Sequence, residues 1–447
     1  MTTSTHPAGT ATTVAPHVPT EYYRFKPYNV SRFVLWGLFA LVLAAAPKLF
    51  TSSLSLTILS QFGTVIIVCL SYNLLLGQGG MLSFGHAVYT GLGSFFAVHA
   101  MNLASSGAVN VPLTAVPLVG GMAGLLVAFV LGYPSTKKAG TPFAMITLGV
   151  GELVLAMALM FPEFFGGEGG ITTNRVYGDK LLGWTFGPQI QVYYLIAIYC
   201  FVCTAAMFAF TRTPLGRMLN AVRDNPERVE YIGYSTQRIR YLAFMISGFF
   251  AGIAGGLAAI NFEIVTAETV SGVRSGGYLL FTFLGGATFF FGPIIGAVML
   301  VFAFVLLSEL TKAWALYLGL AFVLMVMFAP GGVASLLMMN LRVAAFGKLR
   351  RLWTAYLALG ALGISLLLAF SAMVEMVFKL RESSGAGTTL KFVAFQIDAM
   401  GVESWFGAGF VLVASAFLFE IARRHFVRDW GDTQAEIAKE IKRREGL

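Results

Sequence analysis

Between Arg32 and Glu420 the chain is a succession of nearly uncharged apolar runs separated by short polar stretches. A run of about 18 or more such residues, coiled as a helix, matches the hydrocarbon thickness of a bilayer. Composition closes off the soluble alternative: of 447 residues, 57% are hydrophobic and 11% charged. A soluble domain needs about a quarter of its residues charged to face water. The expected fold class is therefore all-α, a polytopic membrane protein. Soluble enzymes and nucleic-acid binders are excluded as readings of the whole chain, despite the net charge of +9.

Hydropathy and helix breakers place candidate spans near 32–47, 53–76, 83–104, 111–133, 141–162, 190–211, 241–262, 276–290, 293–310, 314–329, 352–378 and 405–422, about 10–12 membrane segments. Lys and Arg collect in the cytoplasmic loops of such proteins. Arg24, Lys26 and Arg32 put the N-terminus in the cytoplasm, and Lys137 and Lys138 follow there after four crossings. The loop 163–189, with Glu163, Glu168 and Asp179 against Arg175 and Lys180, falls outside. The loop 212–240, with six arginines, falls inside, as must 331–351 with Arg342, Lys348, Arg350 and Arg351. That last condition requires 276–310 to cross an even number of times or to fold back. Gly285, Gly286, Gly292 and Pro293 sit at its middle, where a helix breaks. A broken or re-entrant pair is expected there, and such backbone survives at membrane depth only when buried in protein or lining a wet cavity.

The chain divides into a Thr/Pro/Ala-rich polar cytoplasmic tail (1–31), a transmembrane domain (32–338), a C-terminal extension with two further membrane helices (339–430) and a charged cytoplasmic helix (431–447). The tail lacks the apolar core of a secretory signal. Thr433 and Glu436 have the spacing of a capping box, which would start that last helix afresh. Cys69, Cys200 and Cys203 all lie in apolar runs, so no disulfide framework is implied.

Catalytic chemistry is hard to place. Gly347-Lys348-Leu349 lacks the upstream glycine and the hydroxyl residue of a phosphate-binding loop, and Gly77-Gln78-Gly79-Gly80 stands at a helix end with no strand before it. No metal-ligand spacing links His6, His17, His86, His99 and His425, and no nucleophile elbow occurs. The expectation is a non-enzymatic chain with no catalytic residue, metal or cofactor.

The strongest functional signal is the loop TRTPLGRMLNAVRDNPERVEYIGYSTQRIRY, residues 211–241. Thr213 can cap a helix that starts at Pro214, where a missing N–H costs nothing. That helix carries Arg217, Arg223 and Asp224 and ends at Asn225-Pro226. Asn225 can cap a second short helix carrying Glu227, and Gly233 can supply a left-handed stop. Ser235 or Thr236 then caps the next membrane helix. A solvated loop obeying the charge rule has no need of two capped helices or of acids among its arginines, so a rigid docking bracket is expected.

Within the spans, Gly248, Gly252 and Gly256 repeat every four residues, which lets helix backbones approach closely. Asn73, Ser83, His86, Thr147 and Glu152 are the polar candidates for a translocation path. For His86 a packed, hydrogen-bonded role is favoured over a substrate contact. Glu152, set mid-span and expected to be buried, must be paired, protonated or facing water; helix–helix contact and path lining are both open to it.

The 211–241 loop resembles the cytoplasmic coupling segment of ABC importer permeases for branched-chain amino acids, the LivM-type subunits. SYNLLLGQGGMLSFGHAVYTGLGSFF (71–96), TPFAMITLGVGELVLAM (141–157), GGEGGIT (166–172), FGPIIGA (291–297) and MFAPGGVASLL (327–337) follow in family order over roughly residues 50–340. The resemblance implies a permease in the bacterial cytoplasmic (inner) membrane, with both termini in the cytoplasm. It implies as partners two ABC ATPase subunits, a second LivH-like permease and an extracytoplasmic substrate-binding protein, besides the lipid bilayer and without nucleic acid. Residues 340–447 depart from the family core and carry no nucleotide-binding motif. Sister importers for urea, short amides or sugars share the architecture. A secondary transporter, the competing class, needs carboxylates and broken helices at the midplane. A structural or assembly membrane protein, a third class, would need no polar helix positions.

Overall fold

The computed structural model describes residues 30–177, 184–382, 389–392 and 395–445. Most of the N-terminal tail, including Arg24 and Lys26, and Asp179 and Lys180 of the 163–189 loop lie outside these residues.

Each of the twelve expected segments coincides with a helix. Among the described residues, eight helices are long and apolar enough to cross a membrane, nine if a bent pair counts as one span. The two strand pairs among the described residues are minor. Ile171–Thr172 pairs antiparallel with Ile264–Val265, and Thr389–Phe392 with Phe395–Asp398.

The helix Thr236–Phe262, here the central helix, is the most buried of the spans and packs mainly against Val116–Ser135, His86–Ser105 and Ser53–Asn73. Its glycines decide how closely those neighbours come. A Cβ at Gly120 would lie 2.6 Å from the carbonyl oxygen of Gly252, and one at Gly93 would lie 2.6 Å from the Gly252 Cα. Gly124 meets the carbonyl of Gly248 in the same way. Lipid is as apolar as the side chains, so no hydrophobic force drives these helices together, and close van der Waals packing of backbones takes its place.

The break expected inside 276–310 falls at 286–291, between the 14-residue helix Gly272–Gly285 and the stretch Gly292–Leu310. Gly286 ends the first helix at φ +112°, open to glycine and few others. The two limbs fold back on each other: Gly285 lies against Gly292 and Gly296 against Phe281. A second break lies downstream, where Trp314–Phe328 and Gly332–Ala345 meet at 49° around Pro330.

The C-terminal helices Leu349–Glu382 and Val402–Glu445 pack on each other and are the least buried of the spans. The capping box expected at Thr433 does not form. Val402–Glu445 is a single helix of 44 residues, and the Thr433 hydroxyl donates to the Asp429 carbonyl one turn back. Nothing at Trp430 breaks the backbone ladder, so the apolar and charged parts share one rod about 66 Å long. Its charged end returns to the bundle: Lys348 Nζ bonds Glu436 Oε2 at 2.7 Å, beside a small cluster of Val343, Leu352 and Ile437.

Candidate functional site

The bracket forms as its caps dictate. Thr213 Oγ1 accepts from the Gly216 N–H at 3.2 Å and starts Pro214–Asp224. Asn225 Oδ1 accepts from the Arg228 N–H at 3.0 Å and starts Pro226–Tyr231. Gly233 takes φ +89°. Of the two residues able to cap the central helix, Ser235 does so, accepting from the Arg238 N–H at 3.4 Å. Thr236 instead donates to Glu230 Oε1 at 2.8 Å, tying the bracket to the helix it leads into.

The inner face of the bracket is apolar. Leu219, Val222 and Val229 are buried and share a cluster with Leu75, Met81, Ile239 and Phe244. Its polar groups seat on the glycine turn at residues 77–80. Asn220 Nδ2 donates to Gln78 Oε1 at 3.0 Å, and the Arg223 guanidinium donates to the Gly77 carbonyl while its Nε pairs with Asp224 Oδ1 at 2.9 Å. Gly80 adopts φ +63°, and a Cβ there would lie 2.8 Å from Arg223 Cγ. Arg223 is therefore partly an internal fastener and not only a surface charge. Arg217, Asp224, Asn225, Glu227 and Gly233 are exposed. So are Tyr231, at 87%, and Ile232, at 62%.

Gly77 is a junction. The bracket reaches its carbonyl through Arg223, its α-carbon lies against the Asn73 amide, and the Ala287 carbonyl of the broken hairpin abuts it. In sequence the Gly77–Gly80 string marks only a helix end. Gln78 and Asn220 were missed altogether; a polar residue inside a glycine turn, facing an arginine-rich loop on the same membrane side, is the signal that marks them.

The path candidates fall into two groups. Asn73, Ser83, His86 and Thr147 are all buried where helices Ser53–Asn73, His86–Ser105 and Thr141–Met160 approach one another. His86 Nε2 shares a hydrogen bond with Ser71 Oγ at 2.9 Å, and its ring stands edge-on to Tyr72, centroids 4.9 Å apart. Tyr72 Oη donates to the Ser83 carbonyl at 2.7 Å, and Thr147 Oγ1 accepts from the Phe84 N–H at 3.1 Å. Ser247 and Ser275, absent from the sequence candidates, also stitch this layer: Ser247 Oγ donates to the Ser71 carbonyl and Ser275 Oγ accepts from the Ala87 N–H. Asn73 Oδ1, Ser83 Oγ and His86 Nδ1 keep no hydrogen-bond partner, and a buried polar atom left so costs about 1–3 kcal/mol.

Glu152 does not join them. It was expected to be buried, but it is exposed on the outer face of Thr141–Met160, with no ion-pair partner within 4 Å among the described residues. That helix packs through one stripe, Phe143, Thr147, Gly151 and Val154, and Glu152 lies beyond it. The Glu152 carboxylate comes near Gly272, at the start of the short hairpin helix.

Residues 54–330, more than half of the chain, match the family described as branched-chain amino acid transport system / permease component. The high-affinity branched-chain amino acid transport system permease protein LivM of Escherichia coli is 30% identical over 317 residues, covering 66% of this chain and 73% of that protein. The probable branched-chain amino acid transport permease protein LivM of Methanocaldococcus jannaschii is 26% identical over 285 residues, covering 56% and 80%. The ribose import permease protein RbsC of Haemophilus influenzae is more distant, 21% identical over 299 residues, covering 62% and 84%. No solved structure matches the chain. On the extent of the family match, the chain belongs to the permease components of branched-chain amino acid transport systems, and is a multi-pass membrane protein.

Proposed function

We propose that the chain is the translocation subunit of an ATP-driven (ABC) importer for branched-chain amino acids, in a bacterial cytoplasmic membrane with both termini inside. It pairs with a second permease subunit and two ATPase subunits, and receives substrate from an extracytoplasmic binding protein. The observation that carries this reading is the 213–233 bracket: capped, fastened inward at Gly77, and exposing Tyr231 and Ile232 among charged residues. Aromatic and aliphatic groups rimmed by charge suit a protein partner better than water.

The transport step follows from the contacts. A force on the bracket tip passes through the Arg223–Gly77 and Asn220–Gln78 contacts to the end of Ser53–Gln78, and through Gly77 to the break of the hairpin. The broken hairpin and the glycine turn join the bracket to the bundle, which supports a two-state change between inward and outward opening centred there. The chain makes and breaks no covalent bond; hydrolysis belongs to the ATPase subunits. A gradient-driven mechanism draws no support, since no Asp or Glu is among the fully buried side chains described. Residues 32–338 carry the permease role, and 339–430 are proposed as a peripheral addition.

Reconstitution tests the reading. The purified chain alone should hydrolyse no ATP. Vesicles holding it with its second permease, ATPases and binding protein should take up leucine on ATP addition. Hydrolysis by the isolated chain, or uptake of leucine without ATPases, would refute the subunit assignment.

A further inference from the structure

A cavity of about 90 Å³ lies between Ser53–Asn73, His86–Ser105, the central helix and Gly272–Gly285. The end of the central helix away from the bracket lines it with Ala254, Ala258, Ala259 and Phe262, and the strand that follows adds Ile264 and Val265. That volume holds several water molecules. Its lining mixes aliphatic side chains, among them Val65, Val68, Ala254 and Ala258, with polar ones, among them Gln61, Thr64, Thr90 and Arg274.

Two polar atoms of the lining lack a hydrogen-bond partner. Thr90 is 5% exposed and its Oγ1 makes no hydrogen bond; Arg274 Nε is equally unpartnered. Neighbouring hydroxyls do not share this state: Ser94 Oγ donates to the carbonyls of Thr90 and Gly255, and Thr64 Oγ1 to that of Gln61. Glu268 Oε1 stands 3.6 Å from Arg274 Nε, an ion pair too long for a hydrogen bond, and is itself 68% exposed. The Arg274 guanidinium also rests over the Phe304 ring, 5.7 Å from its centroid, which leaves the N–H groups at its edge available. A cation and a free hydroxyl lining one small cavity, together with aliphatic side chains, are complementary to a carboxylate carried on a short branched hydrocarbon.

We infer that Arg274 and Thr90 form a carboxylate subsite, where the α-carboxylate of an aliphatic amino acid is held during passage while its side chain meets the alanines and valines of the lining. This rests on the importer reading and adds the substrate contact to it. The subsite lies at the membrane depth opposite the bracket, so it meets substrate on the side where the binding protein delivers it.

The test uses the assembled importer in vesicles with radiolabelled leucine. Arg274→Gln should lower uptake at least tenfold and Thr90→Val severalfold, with the complex co-purifying as before. Arg274→Lys should recover part of the loss, and Glu268→Gln should stay within twofold of wild type. Full uptake by Arg274→Gln would overturn the subsite, as would an equal loss in Glu268→Gln, which would reduce Arg274 to a brace between its helix and Glu268. A second readout places a cysteine by Thr90→Cys and follows its alkylation during turnover. Leucine should slow the reaction and leucinamide, lacking the carboxylate, should not; equal effects of both would overturn the assignment. If wild type transports another cargo and no branched-chain amino acid, the importer's substrate reading fails and takes the subsite with it. If wild type transports leucine and the Arg274 variant does too, only the subsite fails.

Discussion

Asn220 Nδ2, on the first bracket helix, donates to Gln78 Oε1 in the glycine turn at 3.0 Å, across 142 residues of sequence. One turn further along the same helix, Arg223 donates to the Gly77 carbonyl. Two directed contacts from one helix to one turn make the bracket move with the membrane helix behind it. The bracket is thus part of the bundle and not a loop hung from it.

Replacing Gly80 tests that seat. A valine there must hold φ +63° and bring its Cβ 2.8 Å from Arg223 Cγ. The backbone penalty is about 1–3 kcal/mol. Gly80→Val should insert and assemble, with leucine uptake lowered about tenfold while ATP hydrolysis continues. Uptake and hydrolysis measured on the same vesicles give the ratio.

The bracket tip can be tested without touching the seat. Tyr231→Glu and Ile232→Glu alter only exposed side chains, whereas Arg223→Glu also breaks the bond to Gly77. Gly233→Val must hold φ +89° at a similar cost of about 1–3 kcal/mol. The two tip variants should lose co-purification with the ATPases and keep the melting temperature of the isolated chain. Arg223→Glu should lower both.

Orientation is read by labelling. In a chain whose Cys69, Cys200 and Cys203, all buried, are replaced by alanine, a cysteine at the exposed Glu168 should react with an impermeant thiol reagent in intact cells. One at the exposed Lys138 should react only after the membrane is opened. The reverse pattern would place the bracket outside and remove its ATPase partner.

Packing of the central helix predicts a stability difference. Gly252→Leu forces apart backbones that touch at Gly120 and Gly93, and overpacking of this kind costs about 1–3 kcal/mol or more. Its melting temperature in detergent should fall by several degrees. Gly360→Ala, with nothing within 4 Å of the added carbon, should leave it unchanged.

The sequence alone determined the membrane class, the twelve helical segments and the local shape of the bracket, because each depends on neighbours in the chain. Apolar runs set the helices, Thr213 and Asn225 cap within three residues, and Gly233 supplies its own backbone angle. Which face of a helix is covered depends on partners far away in sequence, and there the reading failed or fell short. Glu152 looked buried because its neighbours are apolar, yet Thr141–Met160 packs through a stripe that misses it. Thr433 had a cap's spacing, but backbone hydrogen bonds already ran unbroken through Trp430. The seat at Gly77–Gly80, and the Thr90 hydroxyl and Arg274 Nε without a hydrogen bond, emerge only in three dimensions. A hydroxyl or guanidinium in an apolar run reads the same whether its bond is made or missing, and only the packed bundle decides which.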